Sequence, residues 1–312
     1  MELVILSGKG GTGKTSLVAS LAALAEKKIL VDCDVDAADL HLILDARFGM
    51  PQEFRGGSRA SIDQEKCMVC GICTEYCRFG AIRNAPDVKA RFGEKFWIDE
   101  FTCEGCGVCT YFCPEKAIDL NENISGQWYI SETRYGLMVH ARLGIAQANS
   151  GRLVSHLRRE ASRIAEHNDI GLVIIDGPPG IGCPVIASMT GTDYVLIITE
   201  PSMSAFHDME RLVRLTRHFR IPVGVCINKF DINSNISAEI EEYANREGID
   251  VLGMIPYDVS FTRAQLGGVS IMEYSDNNAS EQIRKIWERL QSKTLSGKKS
   301  APMPENKLIK LE

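Results

Sequence analysis

The sequence predicts an α/β fold, a mostly parallel sheet with helices on both faces, interrupted by a small α+β module. Three observations predict it. Short, near-continuous apolar runs such as Leu3-Val4-Ile5-Leu6, Ile29-Leu30-Val31 and Val173-Ile174-Ile175 recur along the 312 residues, as strands buried on both faces of a parallel sheet require. Between them lie segments with apolar residues at helical spacing, which supply the crossovers that parallel strands need. Eight of the eleven cysteines are gathered between residues 67 and 113, in a stretch that follows neither pattern.

The first strand runs straight into Ser7-Gly8-Lys9-Gly10-Gly11-Thr12-Gly13-Lys14-Thr15-Ser16. Gly8, Gly13, Lys14 and Thr15 satisfy G-x-x-x-x-G-K-[ST], a phosphate-binding loop. Glycines there let backbone N–H groups close around phosphates, Lys14 reaches the β and γ oxygens, and Thr15 ligates Mg²⁺. A helix is expected over 16–27, with Leu17, Leu21 and Leu24 on one face, so that its N-terminus points at the anion. A second strand, 28–34, ends in the carboxylates Asp32 and Asp34, and a short helix is expected over 35–44. From Met50 to Ser61 the pattern dissolves into Pro51, Gly56, Gly57 and Ser58, which reads as a linker.

The cysteines follow one rule twice. Cys67-x2-Cys70-x2-Cys73-x3-Cys77 and Cys103-x2-Cys106-x2-Cys109-x3-Cys113-Pro114 both match the bacterial ferredoxin run. Three thiolates at this spacing wrap three corners of a [4Fe–4S] cube, and the fourth cysteine of each run serves the other cluster. Cluster one therefore takes Cys67, Cys70, Cys73 and Cys113, and cluster two takes Cys103, Cys106, Cys109 and Cys77. Arg78 stands where the second run has Pro114, which removes a turn preference and no ligand. Zinc sites usually pair C-x2-C units in twos, so count and spacing speak against zinc.

After a hairpin expected over 127–130 and 137–141, strand and helix alternate again. Strands are predicted over 172–176, 194–199, 223–228 and 251–255, and helices over 151–166, 184–190, 204–219, 235–247 and 281–290. The expected division is 1–60 and 124–293 for the nucleotide-binding α/β domain, 61–123 for the inserted module, and 294–312 for a flexible tail. Asp176 ends its strand in Val173-Ile174-Ile175-Asp176-Gly177-Pro178-Pro179-Gly180, suited to second-shell coordination of Mg²⁺, and Gly180 can present its N–H to a γ-phosphate. Of the remaining cysteines, Cys33 and Cys226 fall inside strands and read as core. His140 and His207 lack partners at metal or triad spacing and read as structural.

With Lys9 directly after Gly8, the loop K-G-G-T-G-K-T resembles the deviant Walker A of the MinD/ParA-type ATPases of the SIMIBI class, a group that includes the nitrogenase iron protein and the Mrp-type iron–sulfur carriers. The resemblance covers nearly the whole chain, with the ferredoxin domain as an insertion. It implies that Lys9 crosses a dimer interface to the partner's nucleotide, that Asp34 positions the attacking water with Asp32 and Asp36 as neighbours, and that Asn228 contacts adenine. Asn228-Lys229-Phe230-Asp231 also reads as N-K-x-D, the guanine signature of GTPases, so ATP and GTP both remain, with Lys9 favouring ATP. Cys183 lies seven residues after Asp176, the offset of an interface cluster ligand in the nitrogenase iron protein. It stays open as a bridging-cluster ligand, a transfer thiol or a buried helix-start residue.

The function these features imply is an ATP-hydrolysing dimer, of like chains or with a paralogue, whose switching gates electron transfer from two [4Fe–4S] clusters to a partner protein. The alternative is a metal-cluster assembly or carrier protein. A MinD-like positioning role is disfavoured because no anchor helix is evident. The net charge of −6 gives no nucleic-acid signal. No apolar stretch approaches the roughly 18 residues of a membrane span, and the short Leu308-Ile309-Lys310-Leu311 end makes no stable anchor, so a cytoplasmic address is expected.

Overall fold

The computed structural model describes residues 1–84, 96–144 and 150–296, with side chains to residue 293. The chain opens with β1 (Glu2–Ser7), α1 (Lys14–Leu24), β2 (Lys28–Asp32) and α2 (Leu40–Ile43). Strand β3 (Gln52–Ile62) leads into the cysteine-rich module, α3 (Ile72–Tyr76), β4 (Ile82–Asn84), β5 (Phe96–Ile98) and α4 (Val108–Phe112), and β6 (Ile118–Thr133) leads out of it. Then follow β7 (Gly136–Leu143), α5 (Ser150–His167), β8 (Leu172–Pro179), α6 (Cys183–Met189), β9 (Tyr194–Thr199) and α7 (Met203–His218). The chain continues through β10 (Val223–Asn228), α8 (Ser234–Arg246), β11 (Asp250–Ile255), α9 (Ser260–Leu266), α10 (Ile271–Tyr274) and α11 (Asn278–Ser296).

Nine strands form one sheet in the order β11-β10-β9-β1-β8-β2-β7-β6-β3. It is parallel from β11 to β7, and only β6 and β3 run antiparallel to their neighbours. Side-chain alternation along each strand feeds two cores. Val4 and Leu6 join Leu157, Val185, Leu212 and Ile240 of α5, α6, α7 and α8 on one face. Leu3 and Ile5 join Leu17, Leu21, Ile271 and Ile286 of α1, α10 and α11 on the other. Each face of the sheet is thus covered, which explains why the strands are apolar throughout. The mostly parallel α/β class expected from the sequence is the observed one.

Two local expectations are corrected. Residues 50–61 are no linker, because β3 pairs with β6 from Gln52↔Trp128 to Ile62↔Ile118. The glycines that suggested a loop sit at a register break inside this long ribbon. The helix expected over 35–44 shrinks to Leu40–Ile43, since Asp32 holds the backbone N–H groups of Asp34 and Leu40 on its two carboxylate oxygens, at 3.0 and 3.2 Å. The expected tail falls largely outside the described residues. Ala60, Cys73, Ile82, Phe96 and Ile118 form a third small core inside the module. The Tyr76 and Phe112 rings, each just before the last cysteine of its run, stack with centroids 3.8 Å apart and join α3 to α4.

Candidate functional site

β1 lies between β8 and β9 at the middle of the sheet, and the chain leaves its carboxyl end in the glycine loop. Ligands of open α/β sheets sit at this edge. Gly13 has φ 91°, left-handed backbone that glycine adopts freely, and a Cβ there would overlap the Asn228 amide. Gly8 packs so tightly against Asp208 of α7 that it also has no room for a side chain. The loop opens on a cavity of about 820 Å³ lined by Gly10 to Ser16, Asp34, Asp36, Asn228, Lys229, Tyr257 and Phe261 among others. Gly8, Lys9, Asp176 and Gly180 do not line it.

Lys14 is 6 % exposed and ion-paired with Asp176, which is 1 % exposed. The Asp34 carboxylate stands 4.0 Å from the Lys14 ammonium, and Thr15 donates its hydroxyl to the second Asp176 oxygen at 2.8 Å. Burial works to lower the Lys14 pKa, but Asp176, with Asp32 and Asp34 behind it, more than offsets this and holds it above the usual lysine value. Asp34 is pushed up to about 6, chiefly by burial, against the pull of Lys14. Asp32, fully buried beside Asp176, is held well above the ordinary carboxylate range by desolvation first and the neighbouring carboxylate second. Its contacts make it a brace for the 32–40 turn. Asp34 is the carboxylate of the group that faces the cavity beside Lys14.

Several groups expected to meet a nucleotide already have protein partners here. Lys9 reaches Glu200 at 2.8 Å and the Ser202 and Ser204 hydroxyls at 3.1 and 3.4 Å, all in its own chain. Lys229 holds the other Glu200 oxygen at 2.9 Å and the Gly11 carbonyl at 3.0 Å. Burial would raise the Glu200 pKa, but the two ammonium groups override it and keep it below the usual range. Gly180 donates its N–H to the Ser7 carbonyl at 3.0 Å and so does not face the cavity. Asn228 donates to the Thr12 carbonyl at 2.8 Å and accepts from the Lys229 N–H at 3.0 Å, so its amide pins the loop while the residue lines the cavity. Asp231 accepts the Tyr257 N–H at 2.7 Å.

Glu200 lies in the stretch 199–208, which resembles the family's loop flanking the nucleotide face but carried no assigned role, and sequence reasoning missed Tyr257, Phe261 and Gln265, whose amide donates to the Ser16 hydroxyl at 2.6 Å. A carboxylate at the end of β9 was the available signal for Glu200; α9, which brings Phe261 and Gln265, carries too short a pattern to be read. Cys183 begins α6, yet it is exposed, which overturns the buried helix-start reading. Cys33 and Cys226 are buried in the core. His140 is buried with Ser131 at 2.8 Å, and His207 is exposed beside Glu210 at 3.2 Å.

In the module, Cys67, Cys70, Cys73 and Cys113 line one small cavity, with Ile62, Phe96 and Ile118 around them. Cys103, Cys106, Cys109 and Cys77 line a second, with Ala60, Ile82 and Ile98. Each set thus draws three thiols from one run and one from the other. The closing thiols accept backbone hydrogen bonds, Ala81 N–H to Cys77 Sγ and Ala117 N–H to Cys113 Sγ, both at 3.3 Å. Four soft donors in an apolar pocket, with N–H groups aimed at sulfur, fit an iron–sulfur cluster in each cavity.

The glycine loop between the central strand and α1, with Lys14 and Thr15 facing the Asp176 carboxylate of the neighbouring strand β8, defines a P-loop nucleotide-binding protein. The chain belongs to the CobQ/CobB/MinD/ParA nucleotide binding domain family, which it matches over residues 3–271. It is 31 % identical over 294 residues to the uncharacterized protein MJ0578 of Methanocaldococcus jannaschii, spanning 93 % of this chain and 96 % of that one. An iron-sulfur cluster carrier protein of Pyrococcus abyssi is 28 % identical over 157 residues, 46 % of this chain and 52 % of that protein. The fold is that of the septum site-determining protein MinD of Pyrococcus horikoshii, solved with Mg-ADP, at a TM-score of 0.56 and 16 % identity, over 96 % of this chain and 98 % of that one.

Proposed function

We propose that the protein is an ATP-binding and hydrolysing iron–sulfur protein in which nucleotide-driven dimer switching gates electron transfer from two [4Fe–4S] clusters to a partner protein. The observation that carries this reading is the interlocking of the two thiol sets. Cys77 and Cys113 each close the set of the opposite run, so emptying one set loosens a ligand segment of the other. That arrangement suits resident clusters better than cargo. Cys67, Cys70, Cys73 and Cys113 would hold one cluster and Cys103, Cys106, Cys109 and Cys77 the other; when bound, such clusters supply one-electron chemistry.

The remaining residues act on the nucleotide. Lys14 exchanges Asp176 for the terminal phosphates, Thr15 and Asp176 organise Mg²⁺, and ionised Asp34 orients the attacking water. Asp231 already accepts the Tyr257 N–H on one oxygen, which ties it to the 256–258 segment, and Lys9 favours ATP over GTP. Lys9 leaves Glu200 to reach the nucleotide of the second subunit. Lys9→Ala is therefore expected to bind nucleotide normally while losing hydrolysis and dimer closure, and normal turnover in that variant would overturn the trans role.

A second reading is ATP-dependent cluster assembly or delivery, favoured by the carrier protein of P. abyssi that aligns with half of this chain. The two are separated by loading the protein with labelled iron and incubating it with ATP and an apo-acceptor. Label retained while the protein cycles between redox states supports electron transfer. Label passed to the acceptor overturns it in favour of delivery.

A further inference from the structure

The β3–β6 ribbon belongs to two bodies at once. At its inner end Phe54 and Trp128 are part of the main core, while at its outer end Ala60, Ile62 and Ile118 belong to the core of the cysteine module. The module is fixed to the outer half. Gly105 lies so close to the Ser58 carbonyl that a Cβ would overlap it, and Arg59 holds Glu100 at 2.9 Å. Between the halves the ladder breaks: Phe54 pairs with Gly126, Arg55 with Ile124, and regular pairing resumes only at Ser58 and Glu122. Both strands are bulged there, with Gly57 at φ 78° and Gly56 wedged between the Phe54 ring and the Ser125 hydroxyl. That hydroxyl is fully buried and makes no hydrogen bond. A bulge disrupts the ladder locally and bends the strand that carries it.

This break lies two hydrogen bonds from the segment that lines the nucleotide cavity. Asp34, Asp36 and Ala37 line the cavity, and the intervening Val35 carbonyl accepts the Leu143 N–H at 3.5 Å. Leu143 pairs with Gly126, and the next N–H, that of Gly144, is given to the Ser125 carbonyl at 2.9 Å. Phe54 and Trp128 pack on His156 of α5, and the start of α5 lies against Cys183, just after the bend at 180–182.

We propose that the double bulge at Gly56-Gly57 and Asn123–Ser125 is a hinge, and that residues 34–37, acting through Leu143 and Gly144, set the orientation of the cysteine module according to the bound nucleotide. The inference rests on the proposed nucleotide reading and names the segment through which that site acts. Movement of the 34–37 turn shifts the edge of β7 and with it the inner side of the bulge. The module, rigidly held by the outer half of the ribbon, turns as a unit.

Hydrogen exchange followed by mass spectrometry on the full, cluster-loaded chain tests this, with and without Mg²⁺ and β,γ-imido-ATP. Exchange over 54–58 and 122–126 is expected to change by about tenfold or more, while α3 and α4 stay unchanged. Protection of residues 10–15 reports nucleotide binding separately. Protection there with an unchanged ribbon overturns the hinge; no protection there overturns the nucleotide reading and the hinge with it. Leu143→Pro removes the donor to Val35 without removing a bond to β6. It is expected to keep protection at 10–15 and lose the response of the ribbon; a retained response would overturn the route. If that variant does not fold, the wild-type comparison still decides.

Discussion

Asp34 is the side chain whose chemistry can be titrated. Its carboxyl is raised to about 6, chiefly by burial, with Lys14 4.0 Å away pulling the other way. A carboxyl whose folded pKa lies above its unfolded value disfavours the folded state as it ionises, so the fold gives up that contribution as pH rises through about 6. The ionised form that orients water is therefore about nine-tenths populated near pH 7 and about one-tenth near pH 5. Hydrolysis at saturating nucleotide should fall about tenfold between those two values, with the slope of one proton, while binding through Lys14 stays nearly constant. Phosphate release measured from pH 5 to pH 8, with binding followed in parallel, reads both quantities. Asp34→Asn should lower the rate by a factor of about 100 or more and abolish the acid limb. A flat profile, or an Asn variant with the wild-type rate, would refute the assignment.

The interlocked thiol sets predict that Cys77→Ser lowers iron content by about half and alters the same electron-spin signal as Cys103→Ser, whereas Cys113→Ser pairs with Cys67→Ser. A signal shared by Cys77→Ser and Cys67→Ser would mean that each run closes on itself. Gly13→Ala forces a methyl group at φ 91° into the Asn228 amide, at a cost of about 1–3 kcal/mol, so calorimetric titration should show nucleotide affinity reduced roughly tenfold or more. Undiminished affinity would show that the loop relaxes freely. Glu200→Gln frees Lys9 from a pair that is a third exposed on the lysine side and worth about 1 kcal/mol or less. Sedimentation with the β,γ-imido nucleotide should then show a closed dimer favoured by up to about fivefold, and a weaker dimer would count against Glu200 as a restraint.

What the sequence made legible follows from local rules. The glycine loop, Asp176 after its apolar run and the two cysteine runs are each encoded within about ten residues, and apolar strands separated by helical segments indicate a parallel sheet without knowledge of strand order. What escaped depends on distant partners. Gln52–Ile62 has two glycines, an exposed Arg55 and a half-buried Arg59, and only the register with Ile118–Trp128 makes it a strand. Glu200 means little until Lys9 and Lys229 arrive from two other loops. The exposure of Cys183 is set by how α6 meets α5, which no local pattern reports.

The same partners say what nucleotide binding must do. Lys14 is paired with Asp176, Lys9 and Lys229 with Glu200, Gly180 with Ser7, and Asn228 with Thr12, so several of the groups expected at the phosphates or base already have protein partners. Binding is then an exchange of partners, and its net free energy is the difference between two well-satisfied sets, small enough for a second subunit to tip. Glu200 matters most in that balance because, among the described residues, it holds Lys9 and Lys229 together. Release of Lys9 leaves Lys229 still neutralising a carboxylate that is 19 % exposed, so a single lysine can swing out without stranding a buried charge. A site built with Lys9 alone on Glu200 would resist that movement.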